Sequence, residues 1–139
     1  MGKLIDLDYV VSKEKAKLTN PQVLAFIGDS VYALYMKTYV VHNNITNSNN
    51  LNTLTNNLVN ATKQSTVLEN LLNFFNEEEM AIFKRARNYK TANVAKHASV
   101  VDYRRATGLE AVIGYLYLTN EVERLNSVLK MCVGEDKWK

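Results

Sequence analysis

PQVLAFIGDSVYALYM, residues 21–36, decides the fold class. Asn20 and Pro21 read as a helix start. Asparagine accepts a hydrogen bond from first-turn amides, and proline suits the first helical position because an N–H there has no intrahelical acceptor. Val23, Leu24, Ile27, Val31, Leu34 and Thr38 then recur at helical spacing, and the pattern runs to about Val41. At ~100° per residue, Asp29 falls roughly opposite that row, beside Ala25, Tyr32, Ala33 and Met36. Those neighbours are also mostly apolar, which predicts a helix covered on nearly all sides. Asp29 is the one charge in the stretch and is predicted not to be an ordinary solvent-facing residue.

A second stretch, ATGLEAVIGYLYLTN (residues 106–120), has the same character, with Glu110 as its one charge. A lone carboxylate on a buried helix loses hydration and either destabilises the fold or takes up a proton. A divalent cation shared by both acids would offset that loss. Mg²⁺ takes one or two carboxylates and fills its remaining positions with water and phosphate, so Asp29 and Glu110 fit it by residue type. Gly28 and Gly114 sit inside these helical patterns, where glycine costs roughly 1 kcal/mol relative to alanine. A missing side chain lets two backbones approach closely, and if the helices cross at these glycines the carboxylates meet. The competing reading is a pair of buried carboxylates hydrogen-bonded to backbone amides or to Tyr32, Tyr103 and Tyr117.

Composition narrows the class. A chain of 139 residues with 47% hydrophobic and 22% charged residues reads as one globular domain over 1–139, and one proline with five glycines favours helices. The single Cys132 permits no internal disulfide, fits a reducing cytosol and reads as a small buried hydrophobe. Lys3, Asp6, Asp8 and Lys13 interrupt any signal-peptide pattern, and neither apolar stretch gives 18 clean apolar residues, so no membrane span is predicted. His42 and His97 have no neighbouring cysteine or second histidine for zinc, and phosphate-cradling glycine loops are absent from the sequence.

The remaining chain completes an all-α pattern. The row Leu51, Leu54, Leu58 and Ala61 predicts one helix, and Val67, Leu68, Leu71, Leu72 and Phe75 another, either separate from the first or continuous with it. Asn76 caps a helix that begins with Glu77, Glu78 and Glu79 and ends with Lys84, Arg85 and Arg87. Acids at the start and bases at the end suit the helix dipole, so the glutamates read as structural. Tyr89 to Val101 is predicted as a loop, Ser99 or Asp102 as the next cap, and Val122 to Met131 as a final short helix. The N-terminal segment from Leu4 to Val11 is predicted to pack on the bundle. Between Lys84 and Arg105 there are seven basic side chains and one acid, Asp102, although the net charge is only +3. That asymmetry fits either a polyanionic partner or a solvated basic surface.

LAFIGDSVY (24–32) resembles the signature helix of the ribonuclease III family, and TGLEAVIGYLYL (107–118), preceded by Tyr103-Arg104, is similar to that family's second catalytic helix. RARNYK (85–90) resembles the basic motif of its short bacterial branch, Mini-ribonuclease III, in which the catalytic domain stands alone. The likeness runs from about Asn20 to Leu129. It implies a ribonuclease III-like helical endonuclease domain, homodimeric, cutting double-stranded RNA with Mg²⁺ and leaving a 5′-phosphate. It makes Asp29 and Glu110 the catalytic and metal-binding acids, and for this branch it implies cytoplasmic maturation of the large-subunit (23S) ribosomal RNA precursor. No separate double-stranded-RNA-binding domain follows Met131, so Lys84, Arg85, Arg87, Lys90 and Lys96 are the expected RNA contacts. Ala25 and Thr107 stand where longer members carry acids, which leaves the metal held through two side chains, water and phosphate. Ala86 replaces a glycine usual in the short branch, and Ala95 and His97 replace a proline and an asparagine. An alternative on the same fold is a catalytically inactive RNA-binding or ribosome-associated protein. A third reading is a helical dimer in which the two acids only satisfy buried polar groups.

Overall fold

Helix periodicity is realised throughout the computed structural model, which describes residues 8–43, 49–64, 66–89 and 100–134. Among them are seven helices and no strand: α1 (Lys13–Lys17), α2 (Pro21–Asn43), α3 (Leu51–Gln64), α4 (Thr66–Phe74), α5 (Glu77–Asn88), α6 (Val100–Leu118) and α7 (Val122–Cys132). No described helix is long and apolar enough to cross a membrane.

The core forms around α6. Leu109, Ala111, Val112, Ile113, Tyr115 and Leu116 are all essentially inaccessible, so this helix is enclosed on every side over two turns. Its most extensive contacts are with α2 and then α5, while α3, α4 and α7 complete the cluster. The helix ends as asparagine allows. Asn120 takes a positive φ of 58°, and the Glu121 amide donates back to the Leu116 carbonyl at 2.9 Å. A left-handed residue closing a helix with that bond is the Schellman arrangement, which asparagine tolerates better than most non-glycine residues.

The expected cap at Asn76 is present and does more than cap. Its Oδ1 accepts from the Glu79 amide at 2.9 Å, and the Glu79 carboxylate accepts from the Asn76 amide at 3.0 Å. Glu79 is 1% exposed and receives the Arg124 guanidinium of α7 at 2.5 and 2.9 Å. Arg124 also donates to the Phe74 carbonyl at 3.2 Å and stacks 4.1 Å above the Phe74 ring. The glutamates are structural, as read, but one of them is a buried anion whose counterion lies 45 positions away. Removing one partner of a buried pair strands the other charge. Arg124→Ala is therefore expected to lower unfolding free energy by about 3 kcal/mol, measured by urea denaturation. An unchanged midpoint would mean that Glu79 finds another partner or water.

Two local expectations are revised. Asp102 lies in the first turn of α6 rather than at its cap, because the helix starts at Val100; Ser99 falls outside the described residues. Tyr9 and Val10 are exposed, and the segment before α1 is anchored at Val11, whose amide donates to the Leu118 carbonyl at 2.8 Å. The expectation for Leu4 to Leu7 lies outside the described residues. Helices α3 and α4 lie on either side of residue 65, so the expectation about their continuity falls outside the described residues. Cys132 is buried as expected, and burial pushes its thiol up to about 12, which keeps it protonated and unreactive near neutrality.

Candidate active site

Asn20 starts α2: its side-chain oxygen accepts from the Gln22 amide at 2.8 Å, and its carbonyl accepts from Val23 and Leu24. Two turns further on, the helix meets α6 backbone to backbone. A Cβ placed on Gly28 would lie 1.7 Å from the Glu110 carbonyl oxygen and 2.8 Å from the Gly114 nitrogen. One placed on Gly114 would lie 1.9 Å from the Leu24 carbonyl oxygen. Any side chain at either position forces the helices apart, so the crossing inferred from the two glycines is the actual one. Asp29 follows Gly28 directly. Glu110 contributes its carbonyl to the contact and projects its side chain one turn before Gly114 on α6.

Burial of Asp29 is corrected: its side chain is exposed, while Glu110 is half-buried. The buried face of α2 is Leu24, Ala25, Gly28, Val31, Tyr32, Met36 and Val40. This face does not coincide with the row read from spacing. Asp29 stands at its edge, and the far side carries Val23 (52% exposed), Phe26 (77%) and Leu34 (43%). A helix apolar on all sides exceeds what α3, α5 and α6 of one chain can cover. Desolvation therefore does not mark Asp29 out; its place at the glycine crossing does.

The donor chemistry suits a hard cation needing few protein ligands. Two carboxylates flank the crossing, and among the described residues no group of three or more histidine, cysteine, aspartate or glutamate side chains could hold a metal. A site of that kind leaves most coordination positions to water and phosphate, the pattern Mg²⁺ accepts and a structural zinc site does not.

The basic segment divides. Lys84 is exposed on α5. Arg87 is half-buried, its Nε donating to Asn88 Oδ1 at 3.2 Å and its guanidinium lying 5.8 Å from the Phe83 ring centroid. Arg85 is engaged within the protein, donating to the Lys17 and Thr19 carbonyls. Arg105, on α6, pairs with Glu69 at 2.5 Å. Lys90, Lys96 and His97 lie outside the described residues. Two of the seven bases thus serve the fold, which charge counting alone does not reveal. The bond from Asn20 Nδ2 to Tyr89 Oη at 3.1 Å was also missed, because nothing local to either residue signals it.

Comparison with known proteins agrees with this geometry. A profile of the Ribonuclease III domain matches residues 22–121, which contain both acids and both glycines. A protein named Mini-ribonuclease 3 from Clostridium tetani is 46% identical over 123 residues, covering 88% of this chain and 82% of the relative. Another so named, from Streptococcus pneumoniae, is 38% identical over 118 residues, covering 84% of this chain and 92% of the relative. A crystal structure of a Fusobacterium nucleatum protein superposes with a TM-score of 0.71 at 32% identity, covering 84% of this chain and 93% of that one. The fold and its paired acidic helices thus define a nuclease of the double-strand-specific endoribonuclease class. The chain belongs to the ribonuclease III family, in its Mini-ribonuclease 3 branch.

Proposed function

We propose that Asp29 and Glu110 are the catalytic acids of a Mg²⁺-dependent endoribonuclease that matures the 23S ribosomal RNA precursor in the cytoplasm, residues 1–139 acting as one catalytic domain. The observation that carries the reading is the contact of Gly28 with the Glu110 carbonyl, which brings the helices of Asp29 and Glu110 together beside both acids. When bound there, Mg²⁺ supplies positive charge to the scissile phosphodiester and activates the attacking water.

The chain's own residues do the rest. Asp29, exposed at the edge of the crossing, is accessible to a duplex. Glu110, half-buried, supplies the second carboxylate from α6, the helix at the centre of the core. Water adds to phosphorus and the bond to the 3′-oxygen breaks, leaving a 5′-phosphate on one product and a 3′-hydroxyl on the other. Lys84 and Arg87, with Lys90 and Lys96, hold phosphates on either side of the cut. An A-form duplex is read mainly through backbone, 2′-hydroxyls and shape, so these contacts give affinity and register more than sequence choice.

The protein works as a homodimer, each copy cutting one strand. Val23, Phe26 and Leu34 form an exposed apolar row on the same helix as Asp29, and rows of this kind mark association surfaces. A second copy on this face also accounts for a helix that is apolar on more sides than one chain covers.

Long duplex RNA incubated with the purified protein tests the reading directly. Fragments bearing 5′-phosphates are expected with Mg²⁺, and none with EDTA. Duplex binding without products in any divalent cation would leave an RNA-binding protein and end the nuclease assignment. Products of equal yield in EDTA would end the metal assignment.

A further inference from the structure

Arg85 and Tyr89 fasten the end of α5 to the turn from which α2 begins. The Arg85 guanidinium donates through Nη1 to the Lys17 carbonyl and through Nη2 to the Thr19 carbonyl, the latter at 2.8 Å. Carbonyls at and beyond a helix end have no intrahelical donor, and a forked cation can satisfy two at once. One residue further on, Asn20 acts in two directions, accepting from the Gln22 amide at 2.8 Å and donating to Tyr89 Oη at 3.1 Å. At the other end of α5, Glu78 holds the Lys17 ammonium at 2.7 Å. Residues 17–20 are therefore tied to both ends of α5, and Asn20 is the cap of the helix that carries Asp29.

The same helix also seats α6. A Cβ on Gly108 would lie 2.7 Å from the Phe83 ring, so α6 rests closely on α5 two residues before Arg85. Helix α5 is thus a common frame, with the Glu110 helix packed on it at Phe83 and the Asp29 helix latched to it at Arg85. From Asn20 to Asp29 the rise along α2 is roughly 13 Å at 1.5 Å per residue. A helix this short behaves as a rod, so a shift of its first turn reaches Asp29.

We infer that Arg85 is a positioning residue for cleavage: it holds the first turn of α2 on α5, sets where Asp29 stands relative to Glu110, and does not itself contact RNA. The inference rests on the reading that these two acids act together, and it assigns Arg85 a different role from the other bases of its segment.

The test compares Arg85→Ala, Arg85→Lys and Tyr89→Phe with the parent protein. Duplex RNA cleavage gives kcat and KM well below the melting temperature, and metal-free binding is followed across a salt series. Arg85→Ala is expected to lose about tenfold in kcat, because misplacement of reacting groups by a fraction of an ångström to an ångström acts on that scale. KM and the slope of log affinity against log salt should stay as in the parent. Arg85→Lys should not restore kcat, since one ammonium cannot reproduce the fork across two carbonyls. Tyr89→Phe, which removes the hydroxyl that accepts from Asn20, should lower kcat by about threefold in the same manner.

A phosphate contact would give the opposite pattern: raised KM, a salt slope shallower by about 0.7–0.9, and rescue by lysine. That pattern overturns the inference. Should Arg85→Ala not fold, Arg85→Lys and Tyr89→Phe decide it, and parental kcat in both overturns it. A purely structural brace would lower the melting temperature and leave kcat alone, which also overturns it. Failure of the underlying nuclease reading is separately visible, because the parent protein would then cut nothing.

Discussion

Asp29→Asn is expected to slow duplex RNA cleavage by about 10³-fold, the scale on which loss of one well-placed electrostatic group acts in a catalytic site, while the melting temperature stays unchanged. Both halves of that expectation come from the position of the residue. Asp29 is exposed at the edge of the contact between α2 and α6, so it satisfies no buried group among the described residues, and asparagine of the same shape disturbs no packing there. What the substitution removes is negative charge where a cation and a phosphate would meet. Glu110→Gln is expected to match it in rate. A stability change without a rate change in Asp29→Asn would instead give the acid a structural role, and parental rates in both variants would remove them from the chemistry.

Gly28→Ala should fail in a different way. Alanine improves helix propensity by about 1 kcal/mol, and at an ordinary helix position it would stabilise the protein. Here its Cβ would sit 1.7 Å from the Glu110 carbonyl oxygen. Relieving that overlap moves two backbones apart by roughly 1.8 Å, given ordinary contacts of about 3.5 Å. Overpacking of this kind costs about 3 kcal/mol, so the net expectation is a loss of about 2 kcal/mol, read from urea denaturation. The same separation moves Asp29 away from Glu110 and is expected to lower the cleavage rate by about 10²-fold in the molecules that remain folded. A Gly28→Ala protein more stable than its parent would show that the helices do not touch there.

The glycine crossing was legible because each glycine interrupts a strong apolar stretch and each lies close to that stretch's one acid. Local chemistry, not long-range packing, carried that inference. The capping pair Asn76 and Glu79 was legible for the same reason, as a rule about neighbours three residues apart. Its counterion was not: Arg124 lies on another helix, and nothing near residue 79 names it. The exposure of Asp29 was misjudged because periodicity reports which residues are apolar, not which side a single chain covers. Val23 and Leu34, in the row read from spacing, lie outside the core, as does Phe26. Arg85 was read as one of the RNA contacts of a basic segment; its acceptors within the protein are backbone carbonyls, which leave no mark on the sequence.

The central claim is that Asp29 and Glu110 act jointly through one divalent cation. Single-turnover cleavage of duplex RNA in Mg²⁺ by Asp29→Asn, Glu110→Gln and the double variant tests it most directly. Groups that serve one ion are non-additive, since the second loss removes nothing still working. The double variant is therefore expected to cut as slowly as either single variant, within about threefold. A double variant slower than both by the product of their separate losses would show two carboxylates working independently, and would contradict the account.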